Sequence, residues 1–231
     1  MTGLVRKATL LVVCGLLAAT AVFAGVPYPG TSTLPAYINA VGTTGATLGT
    51  SGTMAVAVDP SGAITITVLD KASLPCVNSL VALDFTNCTD LKICQDQYDG
   101  SKIVACPVIS GYTDINGQIT FKVVGSGLNV NGGKPFPTPA ACCHITADGY
   151  DMGYAKVPIY DQDGAAVGGA PGLKLADCRA LNVDYGIGLY CGRGDIDHNG
   201  QLQLADYRLL NSLYGIGLSA TGCGTSPGLC P

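Results

Sequence analysis

A 17-residue stretch near the C-terminus of this chain occurs twice. Leu173-Lys-Leu-Ala-Asp-Cys-Arg-Ala-Leu-Asn-Val-Asp-Tyr-Gly-Ile-Gly-Leu189 returns, 29 residues on, as Leu202-Gln-Leu-Ala-Asp-Tyr-Arg-Leu-Leu-Asn-Ser-Leu-Tyr-Gly-Ile-Gly-Leu218. Both copies keep Leu-x-Leu-Ala-Asp, the Arg, Leu-Asn and Tyr-Gly-Ile-Gly-Leu. Chance does not produce such a match, so the region must fold as two copies of one supersecondary unit.

The second copy overlaps a loop with the spacing of a calcium site. In Asp195-Ile-Asp-His-Asn-Gly-Gln-Leu-Gln-Leu-Ala-Asp206, side-chain oxygens fall at positions 1, 3 and 5 (Asp195, Asp197, Asn199). Gly200 stands at position 6, where the chain must turn sharply, and Gln201 at position 7 offers its backbone carbonyl. Leu202 at position 8 is expected to face a core, and Asp206 closes the loop at position 12. Calcium takes six to eight hard oxygens at ~2.4 Å, and alternate residues of a turning loop can all aim inward. A bare Asp-Asn-Gly turn is the plainer alternative. Five matches in register, followed by a helix-like segment, favour the calcium loop.

The first copy is less regular. Asp161-Gln-Asp-Gly164 resembles a loop start and Asp177 its end, but these ends are 16 positions apart where the standard loop has about 11. Extra residues within Ala165 to Gly172 must then bulge outward. A strict reading by the repeat offset would instead put Ala166, Gly168 and Ala170 at positions 1, 3 and 5, where they offer no side-chain ligands. The preferred reading keeps Asp161, Asp163 and Asp177 as ligands.

Two tandem calcium loops, each followed by one short helix, resemble the type I dockerin family. The resemblance covers about residues 159–218, and Asp195 to Leu202 with Asp206 is its most specific part. Unlike a full EF-hand, neither loop is preceded by a helical pattern: Tyr154 to Tyr160 is β-like, and Gly192-Arg-Gly194 is not helical. Loop positions 10 and 11, often polar partner-reading residues in the family, are Leu175-Ala176 and Leu204-Ala205. The resemblance implies bound calcium and a cohesin-like protein partner, in the setting of secreted polysaccharide-degrading assemblies.

The N-terminus points to the same compartment. Arg6 and Lys7 precede an apolar run from Ala8 to Leu17, and Val22-Phe23-Ala24 supplies small residues before Gly25. This is the pattern of a cleaved secretory signal. The run is shorter than the ~20 residues of a membrane span, and no second apolar segment follows, so no span is expected after cleavage. Cys14 could suggest a lipoprotein, but Val13 stands where a small residue is expected. Of the eleven cysteines, ten remain beyond Cys14, and an even number in an exported chain reads as a set of disulfides with no free thiol. A zinc site at Cys142-Cys143-His144 is the minor alternative. The signal holds two of the twelve basic residues and none of the sixteen acidic ones, which leaves the mature chain at about −6. Such a chain is not built to track a phosphate backbone, so nucleic acid is not an expected partner.

The middle of the chain reads as short strands between turns. Met54 to Val58, Ala63 to Leu69, Val77 to Phe85, Ile103 to Cys106, Val108-Ile109, Gln118 to Val124, Cys143 to Ala147 and Tyr154 to Tyr160 are β-like. Asp59 to Gly62, Asp114 to Gly117 and Asn131 to Gly133 read as breaks, and Cys88 to Cys94 as a polar excursion. No 3.6-residue apolar period interrupts them, which argues for a β-sandwich. Val68 to Pro75, Val81-Ala-Leu-Asp-Phe85 and Thr113-Asp-Ile-Asn-Gly-Gln-Ile-Thr-Phe121 are similar to the bacterial Ig-like domains of adhesins and surface proteins, over roughly residues 62–125. That resemblance implies a spacer or binding platform without an active site.

No catalytic constellation stands out. His144 is alone before the C-terminal region, and Asp84, Asp90, Asp96 and Asp99 have no neighbours that would separate their pKa values. Asn87-Cys88-Thr89 matches a glycosylation sequon. The expected chain is mainly β: a signal at 1–24, an Ig-like β-sandwich at 25–158, a small α-helical dockerin-like (EF-hand-like) domain at 159–220 and a Cys-containing tail at 221–231. It is expected to be extracellular or at the cell surface, non-catalytic, and a binder of protein. Binding of carbohydrate or a cell surface is the alternative.

Overall fold

The computed structural model describes residues 25–41, 63–89, 91–93, 102–127, 141–159, 166–167, 170–171, 194, 196 and 203–215. The signal at 1–24, the strand expected at 54–58, the break at 131–133 and the tail at 221–231 lie outside them.

The described part of residues 25–159 is mainly β and forms two sheets that fit a β-sandwich. The larger sheet has the order β5-β6-β3-β8-β9, all antiparallel. Its strands are β5 (Ile103–Ala105), β6 (Val108–Tyr112), β3 (Leu80–Asp84), β8 (Cys143–Ala147) and β9 (Tyr150–Ala155). The second is built on the ten-residue β7 (Gln118–Gly127). β7 pairs antiparallel with β2 (Ala63–Thr67) and β4 (Leu91–Ile93), and parallel with β1 (Ala40–Val41).

Alternation in the sequence explains which faces meet. Val81 and Leu83 of β3, Ile109 of β6 and Cys143, Ile145 and Ala147 of β8 are buried, and their sequence neighbours within those strands are more exposed. From the second sheet, Ile66, Ile119, Phe121, Val123, Leu91 and Ile93 join the same apolar cluster. A period of two in each strand therefore gives each sheet one apolar face, and those faces together form the core.

The first segment and the last strand close the sandwich. Residues 36–40 run parallel to 156–159, with Ile38 N donating to Lys156 O at 2.8 Å and Ala40 N to Pro158 O at 2.9 Å. Farther back, Thr33 and Thr67 exchange backbone hydrogen bonds, and Tyr28 N donates to Leu69 O at 2.9 Å. The sequence reading assigned no structure to residues 25–41. Their hold comes from long-range backbone pairing, which leaves no local period to detect. It also read Cys88 to Cys94 as a polar excursion, whereas Leu91 and Ile93 are buried residues of a short strand.

The turn between β6 and β7 is set by two residues. Asp114 Oδ1 accepts hydrogen bonds from Asn116 N (2.8 Å) and Gln118 N (2.9 Å). Gly117 has φ +71°, and a Cβ there would lie 2.5 Å from Val68 O. Only glycine fits both the dihedral and the space.

The cysteine expectation needs correction. Cys88 and Cys142 are bridged, with Cα atoms 5.1 Å apart across 54 positions. Cys106 is also disulfide-bonded. Cys76 and Cys143, however, are buried free thiols. Neighbouring residues of an extended chain point to opposite faces, so Cys142 reaches Cys88 while Cys143 turns into the core. There it behaves as a small apolar side chain. An even count does not oblige every cysteine to pair.

Candidate metal centre

The helix α1 (Leu204–Gly215) follows the second loop, where the repeat predicts it. Asp206 occupies its third helical position and is fully buried. One carboxylate oxygen, Oδ2, accepts from Gln203 N at 2.7 Å. This is the back-reaching half of a capping box, which satisfies an amide that the helix leaves unpaired. The other oxygen, Oδ1, accepts from Ile196 N at 2.7 Å, ten positions earlier. Asp206 thus ties position 12 of the loop to position 2.

Apolar burial accompanies this closure. Ile196, Leu209 and Leu210 are buried, and Leu209 and Leu210 lie three and four residues after Asp206, on the same helical face. Sequence reading missed Ile196. Its signal is a branched apolar residue between two aspartates, at a loop position that contributes no ligand.

A carboxylate fits a cation site here. A carboxylate oxygen is the kind of hard donor that calcium takes. Of the eight predicted ligands, Asp206 is the one that the described residues include. Asp195, Asp197, Asn199, Gln201, Asp161, Asp163 and Asp177 lie outside them. Within the stretch expected to bulge from loop one, Ala166–Val167 pairs antiparallel with Ala170–Pro171, so the chain doubles back between residues 166 and 171.

Among the described residues, in the sandwich and around Asp206 alike, no group of three His, Cys, Asp or Glu side chains could hold a metal ion. His144 Nε2 lies 3.1 Å from Asp151 Oδ1, and its ring stacks on Tyr154 with centroids 4.6 Å apart. Cross-strand pairing of β8 with β9 accounts for both contacts, so His144 takes a structural place. Asp84 Oδ1 accepts from Thr86 N and Thr86 Oγ1 and fixes the turn after β3. Asp90, Asp96 and Asp99 lie outside the described residues. Asn87 of the sequon is exposed beside the bridged Cys88. Among the described residues no helix is long and apolar enough to cross a membrane.

No protein-family model matches the chain, and neither a curated protein nor a solved structure matches it.

Proposed function

We propose that this chain is a secreted or surface-displayed, non-catalytic interaction protein, in which a dockerin-like calcium-binding module docks onto a cohesin-like partner and an Ig-like sandwich serves as spacer. The observation that carries this reading is the buried Asp206 carboxylate bonded to the amide of Ile196, within a loop whose ligand spacing suits calcium. In this reading Asp195, Asp197, Asn199, the Gln201 carbonyl and Asp206 hold the ion of loop two. Asp161, Asp163 and Asp177 hold that of loop one, and the antiparallel pairing within 166–171 supports treating that stretch as an insert between them. Calcium would gather carboxylates that otherwise repel one another and so stabilise a module too small to rest on apolar burial alone.

The experiment is retention of secreted proteins from the source on the immobilised full-length chain, with calcium and with chelator. Capture of a scaffold or cohesin-like protein in calcium alone is the expected result. Equal capture under both conditions would remove the docking reading. Retention of a polysaccharide regardless of calcium would favour the carbohydrate-binding alternative.

A further inference from the structure

The backbone approaches one side chain unusually closely at Gly25. A Cβ built on this residue would clash with the Cβ and Oδ2 atoms of Asp70, closer than such atoms sit in real proteins. The nitrogen on the same Cα lies about 2.5 Å from where that Cβ would be, so it falls within about 5 Å of the Asp70 carboxylate. Gly25 is also the residue that the sequence places just after the signal cleavage site.

The segment that begins here is firmly attached to its neighbour. Pro27 bridges to Asp70, Thr31 Oγ1 donates to Asp70 O at 2.7 Å, and Leu69 N donates to Ser32 Oγ at 3.0 Å. The buried Cys76 thiol donates to Gly25 O at 3.2 Å. Asp70 Oδ1 is occupied by the amides of Ala72 (2.8 Å) and Leu74 (2.9 Å), which fixes the carboxyl group with Oδ2 towards Gly25.

We propose that cleavage before Gly25 creates an α-ammonium group that pairs with the Asp70 carboxylate, so that maturation itself adds an ion pair holding the first segment against residues 67–70. In the precursor this nitrogen is an uncharged amide and the pair cannot exist. Glycine is required at position 25 because any side chain would displace Asp70. Ionisable groups near it include the exposed Lys71, which follows Asp70, the Cys76 thiol, and Asp148, whose charge also acts on that thiol. Burial first, then the charges of Asp70 and Asp148, raise the pKa of that thiol, so the field of Asp70 reaches the place where the Gly25 carbonyl sits. The proposal rests on the secretory reading of residues 1–24 and is independent of calcium.

The test uses the full chain secreted from a host with a general export pathway. Intact mass identifies the first residue, and labelling of the N-terminal amine at several pH values gives its pKa in wild type, Asp70→Asn and Gly25→Ala. Asparagine keeps the oxygen that accepts from Ala72 and Leu74 and removes only the charge. The expected result is a chain beginning at Gly25 whose α-amine titrates about half a unit or more above the ordinary range of roughly 7.7–8.0 and returns to it in both variants. A chain beginning elsewhere would overturn the proposal through its cleavage step. A chain beginning at Gly25 whose amine titrates alike in wild type and Asp70→Asn would overturn the ion pair alone.

Discussion

Asp206 carries two roles in one side chain, and a substitution there tests both. Asp206→Ala would strand the buried Ile196 amide and remove the capping interaction at Gln203. The expected loss is about 2–4 kcal/mol from the unit around α1, read as accelerated exchange of the helix amides. Asp206→Asn keeps an acceptor but loses the charge, so it should recover part of this stability without recovering calcium affinity. The two buried thiols offer a second check at this scale. Cys76 and Cys143 should resist alkylation in the native protein and react after denaturation without reductant. Burial pushes the Cys143 thiol well above the usual thiol range, with a smaller contribution from Asp84. A folded-state pKa above the unfolded one stabilises the fold fully below the unfolded value and progressively less above it. Denaturant melts should therefore show stability falling as pH rises past about 9, and Cys143→Ala should flatten that slope.

Among the elements, β7 decides the sandwich, because its ten residues pair with three other strands and supply Ile119, Phe121 and Val123 to the core. Phe121→Ala should cost about 3–5 kcal/mol in chemical denaturation. Gly117→Ala, at the turn that launches the strand, should cost about 1–3 kcal/mol despite adding a single methyl group. These elements were readable in the sequence. Gln118 to Val124 alternates cleanly after a turn whose Asp and Gly have assigned physical roles, and β8 runs over the predicted Cys143 to Ala147. What escaped reading was fixed at long range. β4 is three residues with a polar approach, and residues 25–41 are held by partners at 67–70, 123–124 and 156–159 rather than by any period of their own. The candidate site divides in the same way. The spacing of the loop shows its oxygens and its closing aspartate, whereas the burial of Ile196 depends on tertiary surroundings that the loop spacing does not specify.

For the whole molecule, the sandwich is held by apolar strands and the Cys88–Cys142 disulfide, whereas the function proposed above makes the C-terminal module depend on an ion. The Cys88–Cys142 bridge closes a span of 54 positions, for which the chain-entropy estimate is about 4 kcal/mol, and none of that involves calcium. Hydrogen exchange on the full chain should accordingly show peptides spanning β3, β6 and β8 equally protected in calcium and in chelator, while residues 203–215 lose protection on chelation. The central claim is that loop two is a calcium site, and calorimetric titration of calcium into the mature protein tests it most directly. The prediction is saturable uptake that Asp195→Ala abolishes at the tighter site, with Asp161→Ala weakening only the looser one. No uptake by wild type, equal uptake after Asp195→Ala, or a larger loss from Asp161→Ala would contradict the assignment.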